Sequence, residues 1–173
     1  EQKYYELSKK LSAIRKSVAK NLEVTIHEQL EDLNMSNAKF RFKFEFLEQD
    51  VVNSKGIDDV EFMMTTNVGE DFKPLAKIAS GGEISRIMLA LKVVFSTVDN
   101  ISVLIFDEID TGISGETVKR VADKLKELSG KVQVICVTHS PQIAGKARQQ
   151  FFIKKEVENN VTETKVRELT QEE

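Results

Sequence analysis

Cysteine, proline and long apolar runs are all scarce in this chain. Cys136 is the only cysteine, so no disulfide can form within the chain. Its place in an apolar run reads as a small buried hydrophobe in a reducing compartment. Only two prolines interrupt the patterns of helix and strand. Neither a signal peptide nor an apolar run of membrane-spanning length appears, so the expectation is a cytoplasmic protein with no membrane partner. No internal repeat or low-complexity tract is present. Charge of one sign is lacking too: 25 Lys and Arg stand against 28 Asp and Glu, for a net charge of −3. That balance argues against coating nucleic acid through bulk charge and leaves room only for a local basic face. What is plentiful is apolar: 40% of 173 residues, enough for the core of one domain or of one domain with an appendage. The chain opens on Glu1 already in helical pattern, and reads as a piece of something longer.

From Tyr4 to about Leu33 the apolar residues follow a helical period. Tyr4, Leu7, Leu11, Ile14 and Val18 form a heptad seam. Leu22, Ile26, Leu30 and Leu33 continue it as a helix does when it leaves a coiled coil and packs on a globular body. Such a helix is roughly 45 Å long at about 1.5 Å per residue. Lys3, Lys9, Lys10, Arg15, Lys16 and Lys20 lie on its first half against Glu1 and Glu6; a solvated exterior accounts for them better than a nucleic-acid face. His27 reads as a surface or boundary residue.

The period then changes. Phe40, Phe42, Phe44 and Phe46 alternate with Arg41, Lys43 and Glu45, the pattern of a half-buried strand. A base-stacking platform would use the same alternation, but packing on a core is the better reading. Asn53-Ser54-Lys55-Gly56 is a turn. Val60, Phe62 and Met64 alternate with Glu61, Met63 and Thr65 in a second strand, expected to pair antiparallel with the first. Ile101 to Phe106 and Val132 to Val137 are nearly unbroken apolar runs, which predict strands covered on both faces in a parallel sheet. Between them Val118, Val121, Leu125 and Leu128 mark a helix, with Gly130 at its C-cap. Phe151 to Ile153 and Val161 to Leu169, split by Glu158-Asn159-Asn160, predict a closing hairpin.

The chain is organised around Ala79-Ser80-Gly81-Gly82-Glu83-Ile84-Ser85-Arg86. Ser80 with Glu83 three residues on has the form of a capping box at the start of a helix that runs through Ile84, Met88, Leu91, Val94 and Phe95. The glycines permit close approach to the backbone, and the helix N-terminus offers free N–H groups to an anion. Downstream, Asp107 and Glu108 end the first apolar strand and His139 ends the second. The strand–helix–strand order brings all three to the carboxyl ends of neighbouring strands, where open α/β sheets bind ligands. Nucleotide hydrolysis asks for a metal-holding carboxylate, a carboxylate that polarises water, and a neutral histidine on the terminal phosphate. Asp107, Glu108 and His139 fit those roles in that order. Each alone is a weak signal; their joint order behind a serine–glycine helix start is not.

These residues resemble the ABC-type ATPases. Ser80-Gly81-Gly82-Glu83 is similar to the signature motif of that superfamily, Val103 to Glu108 to a Walker B strand with its catalytic glutamate, Asp110 to Gly115 to the D-loop, and His139 to the switch histidine. Transporters of the superfamily usually carry proline and threonine after the glutamate; Ile109 and Asp110 stand here, as in the SMC-like ATPases. Pro74 to Ala79, Ser85 to Lys92, and Asp107 to Gly115 are most similar to the RecN family, bacterial SMC-like ATPases of double-strand-break repair. The resemblance is specific from about Asn67 to Pro141 and looser outside.

One departure from the superfamily is decisive. Its ATP grip needs a glycine-rich P-loop ending in Gly-Lys-Ser/Thr, and Gly130-Lys131-Val132 and Gly145-Lys146-Ala147 are not that. The resemblance therefore implies an α/β fold that is the C-terminal lobe of an ABC-type head, with a mostly parallel sheet flanked by helices, plus β-hairpins. Residues 1–36 would be the returning coiled-coil helix and 37–173 the lobe. It implies ATP and Mg²⁺ as cofactors, with Asp107 holding Mg²⁺ through water, Glu108 as base and His139 sensing the γ-phosphate. Ser80, Gly81, Gly82 and Glu83 would bind nucleotide held by an opposite head, and Asp110 and Ser114 would couple the two sites. The implied partners are the N-terminal lobe of the same head, a second head in an ATP-dependent dimer, and DNA through the full-length protein, at a bacterial nucleoid. The isolated chain is expected to be inactive. A different SMC-like or transporter ATPase and a non-enzymatic interaction module remain open as alternatives.

Overall fold

The computed structural model describes residues 2–47, 54–78, 81–96, 98, 100–158 and 161–170. In chain order the elements are α1 (Gln2–Asp32), β1 (Lys39–Phe46), β2 (Asp58–Thr65), β3 (Lys73–Pro74), α2 (Gly81–Phe95), β4 (Val103–Phe106), α3 (Glu116–Ser129), β5 (Gln133–Cys136), α4 (Pro141–Ala144), β6 (Phe151–Glu158) and β7 (Val161–Glu168). The long first helix, both amphipathic helices, the two buried-type strands and the closing hairpin stand where the sequence puts them.

The C-terminal half of α1 enters the core. Ile26, Leu30 and Leu33 are fully buried and join Phe40, Met64, Ile87, Leu89, Phe106, Ile109, Val121 and Leu128 in one continuous cluster. The helix stops at Asn34, whose φ of 59° is the left-handed conformation that commonly ends helices. The heptad seam is a different matter. Leu7, Leu11, Ile14 and Val18 are exposed, while Ser8 and Ser12 on another face are buried. There Ser12 Oγ donates to Asp58 Oδ1 at 2.7 Å and Arg15 Nη1 to Asp58 Oδ2 at 3.3 Å, tying α1 to the start of β2.

β1 and β2 pair antiparallel with Phe42 opposite Phe62, as expected, and the rings of Phe40, Phe42 and Phe62 meet edge to face at 5.1–5.6 Å. β1 is an edge strand, and α1 covers its open side. Phe40 N donates to His27 Nε2 at 2.8 Å and Phe42 N to Glu23 Oε1 at 2.7 Å, so neither N–H is left for another chain to pair with. The alternation fails at one end of β2, where Met63 and Thr65 are buried beside Met64. β3 pairs beside β2 there, with Met63 facing Pro74.

Two expectations about the sheet are corrected. The strands do not form a mostly parallel sheet: β4–β5 is the parallel pair, while β1–β2–β3 and β6–β7 are separate antiparallel sheets. Of the strands that pair with each other, β4 and β5 are joined through a helix, α3, and the shorter links between the other partners favour antiparallel return. Nor are β4 and β5 covered on both faces. Leu104 and Phe106 turn inward with Val134 and Cys136, but Ile105 is 70% exposed, and Val103, Ile135 and Val137 share its open face. The hairpin β6–β7 is open as well, with Phe151, Ile153, Val157 and Val166 exposed. Gly130 does cap α3, but at φ −74°, so the cap does not use glycine's special freedom.

Candidate functional site

β4 and β5 run parallel and end in register at Phe106 and Cys136, so the loops that follow leave the same end of the sheet. The first carries Asp107, Glu108 and Asp110, the second His139. The N-terminal turns of α2 pack against the first loop. Ser85 Oγ donates to the Asp107 carbonyl at 2.7 Å, and Arg86 Nη1 to the Thr111 carbonyl at 2.9 Å. A Cβ on Gly82 would lie 3.0 Å from the Thr111 carbonyl oxygen and 3.2 Å from that of Glu108. Glycine is needed at this position because backbone, not a yielding side chain, fills the space.

Glu108 has a φ of 55°, a left-handed conformation that a non-glycine residue adopts at a cost. Its carboxylate does not hang free in the mouth of the sheet: Oε2 lies 2.6 Å from where a Gly81 Cβ would be, against the first turn of α2. Asp107 is exposed, and its Oδ1 accepts the Glu108 N–H at 3.0 Å.

The second loop is fastened to the first. Asp110 Oδ2 accepts from Thr138 Oγ1 at 2.5 Å, His139 N at 2.9 Å and Ser140 N at 3.0 Å. Partial burial alone would push the Asp110 carboxyl up, but these hydrogen bonds outweigh it and hold the group below the usual carboxylate range. The His139 ring is exposed while its backbone is pinned. Cys136, half-buried beneath the loop, has its thiol pushed up to about 11, first by burial and then by Asp110 and Asp107, which keeps it protonated and inert. The sequence reading of a buried hydrophobe holds only in part, since the side chain is half-buried.

The structure thus brings Gly81, Gly82, Asp107, Glu108, Asp110 and His139 into one hydrogen-bonded region. Ser80 lies outside the described residues, so its capping box does too. Glu83 stands half-buried in the first turn of α2, and Ser114 is exposed before α3. Among the described residues no group of three His, Cys, Asp or Glu could hold a metal ion. A single exposed carboxylate suits Mg²⁺, which keeps most of its water and is held by one or two carboxylates plus phosphate oxygens; Asp107 fits that role. Sequence reasoning missed Arg86 and Ser85. A signal was present: Gly82, Ser85, Arg86, Leu89 and Ala90 fall on one stripe of α2, and an arginine on a buried stripe calls for a partner.

Residues 4–163 match the family described as RecF/RecN/SMC N terminal domain. The chain is 48% identical over 166 residues to the DNA repair protein RecN of Halalkalibacterium halodurans, covering 94% of this chain and 29% of that one. It is 40% identical over 176 residues to the DNA repair protein RecN of Bacillus subtilis, covering 94% and 31%. The chain therefore spans about three-tenths of the length of these relatives. Among solved structures it is similar to an Smc head domain with a coiled coil and joint from Pyrococcus yayanosii, at 25% identity and a TM-score of 0.62, covering 96% of this chain and 30% of that one.

Proposed function

The chain belongs to the RecF/RecN/SMC N terminal domain family, and from that premise we propose that it is the part of a RecN-type ATPase head that follows the coiled coil. The observation that carries this reading is the joining of three segments at one end of the sheet. The start of α2, the loop with Asp107 and Glu108, and the loop with His139 are linked by the bonds from Ser85, Arg86 and Asp110. Although the family description refers to an N-terminal domain, no Gly-Lys-Ser/Thr grip is present in the sequence. The N-terminal lobe that would supply it has a surface to occupy: the open apolar face of β4–β5 around Ile105. The exposed seam of α1 fits an antiparallel coil arm, and the solved relative is itself a head with a coiled coil.

In this reading Glu108 takes a proton from the attacking water. His139, with its backbone fixed, directs its ring to the γ-phosphate. Ser80, Gly81 and Gly82 offer the N-terminal N–H groups of α2 to a phosphate held by a second head. Asp110 and Ser114 lie on the loop that meets that head. Mg²⁺, when bound beside Asp107, neutralises charge on the phosphate oxygens. ATP binding then closes two heads and hydrolysis parts them, a cycle that the whole protein applies to DNA during break repair. The named relatives are DNA repair proteins, which supports that assignment. Glu108→Gln in the full-length protein tests it. ATP binding should persist, turnover should fall about 10²–10⁴-fold, and ATP-bound dimers should accumulate on size exclusion. Near-normal turnover would remove Glu108 from the role.

A further inference from the structure

Arg86 sits in the second turn of α2 and is only 7% exposed. Charged side chains are almost never buried so far unless their groups are paired. Yet among the described residues Nη1 hydrogen-bonds the Thr111 carbonyl at 2.9 Å, and the buried Nε has no partner. Burial pulls the guanidinium below its ordinary value, with Glu83 opposing. A methionine would fill the same space without a stranded donor, so packing alone does not explain an arginine here.

Its neighbours on the helix do. Gly82, Ser85 and Arg86 are spaced i, i+3, i+4 and share one face. Ser85 holds the Asp107 carbonyl, Gly82 admits the Glu108 and Thr111 carbonyls, and Arg86 pins Thr111. Between these fixed points lies Glu108 at φ 55°, a conformation that persists only where its surroundings over-determine it. The geometry points to Arg86 as a positioning residue: its hydrogen bond to Thr111 fixes the loop bearing Glu108 and Asp110 on the helix whose N-terminus receives phosphate. Phosphate capture and placement of the base thereby become one rigid unit. The catalytic half of this inference rests on the ATPase reading above.

The test uses Arg86→Met and Arg86→Lys in the full-length protein, read by steady-state ATP hydrolysis, nucleotide binding and amide exchange. Methionine keeps the stem and removes the donor. In Arg86→Met, nucleotide affinity and KM should change little, whereas kcat should fall about 10²-fold, the scale of a small misplacement of a catalytic group. Amide exchange over residues 107–112 should quicken about tenfold, the worth of one charge-assisted hydrogen bond, with residues 20–33 unchanged. Lysine keeps a cationic donor for the Thr111 carbonyl, so Arg86→Lys should restore most of the rate and the protection. A merely structural role would instead loosen the whole protein and would not split kcat from KM. Wild-type exchange over 107–112 in Arg86→Met overturns the proposal. If protection is lost and restored as stated but no form hydrolyses ATP, the ATPase reading fails and the positioning role stands. Should Arg86→Met not fold, a folded Arg86→Lys with an unprotected loop is the overturning result.

Discussion

The Asp110 carboxylate accepts the backbone N–H of His139 at 2.9 Å, joining the exits of β4 and β5 across 29 residues of sequence. With Thr138 and Ser140 on the same oxygen, one side chain sets the path of the second loop. The family resemblance implies a coupling role between two heads for Asp110; within the chain its carboxylate is already committed to the segment that carries His139.

This commitment makes the second loop sensitive to acid. The folded carboxyl lies below its ordinary value, so its contribution is fully present above about pH 4, the unfolded value, and is lost as pH falls through the depressed folded one. Amide exchange over residues 138–140, corrected for its intrinsic pH dependence, should quicken in that window. Asp110→Asn should already be quick at neutral pH and show no acid step. Identical profiles for the two proteins would contradict the assignment.

The open face of β4–β5 gives a second prediction. Ile105 is 70% exposed, so Ile105→Asp in this chain alone should change unfolding free energy by no more than about 0.5 kcal/mol, as surface substitutions do. In the full-length protein, where we place the N-terminal lobe on that face, the same change buries an unpaired charge and should cost several kcal/mol. Urea unfolding of both forms decides, and equal effects would remove the lobe from this face.

A third prediction concerns the edge of β1. His27→Ala strips the acceptor from Phe40 N, leaving a partly buried donor at a cost of about 1–3 kcal/mol. His27→Gln should recover part of it by offering an oxygen. Chemical denaturation measures both, and a null effect of alanine would show that water replaces the ring at no cost.

Periodic features were legible from the residues alone. The alternation at Phe40–Phe46 gave the strand and its inner face as far as Phe44, though Phe46 is exposed, and the stripe of Val118, Val121, Leu125 and Leu128 gave α3. Coverage was not legible. The run Val103–Phe106 is apolar at every step, and such a run looks the same whether its second face is covered within the chain or left open. Side-chain bonds to distant backbone were also invisible: nothing local in His27, Glu23 or Asp110 announces that each will hold an N–H from another element. The candidate site was legible as a set of residue types in order. Its wiring through Ser85, Arg86 and Asp110 was not, because those contacts exist only once α2 lies on the loop.

Equilibrium titration of Mg-ATP into this chain, alone and together with the segment of the full-length protein that carries the P-loop, shows whether the chain is half of an ATPase head. The P-loop supplies most phosphate contacts through its backbone N–H groups and lysine. The chain alone should therefore show no saturable binding and no phosphate release, with both appearing when that segment is joined. Tight binding by the chain alone, with steady turnover abolished by Glu108→Gln, would contradict that assignment.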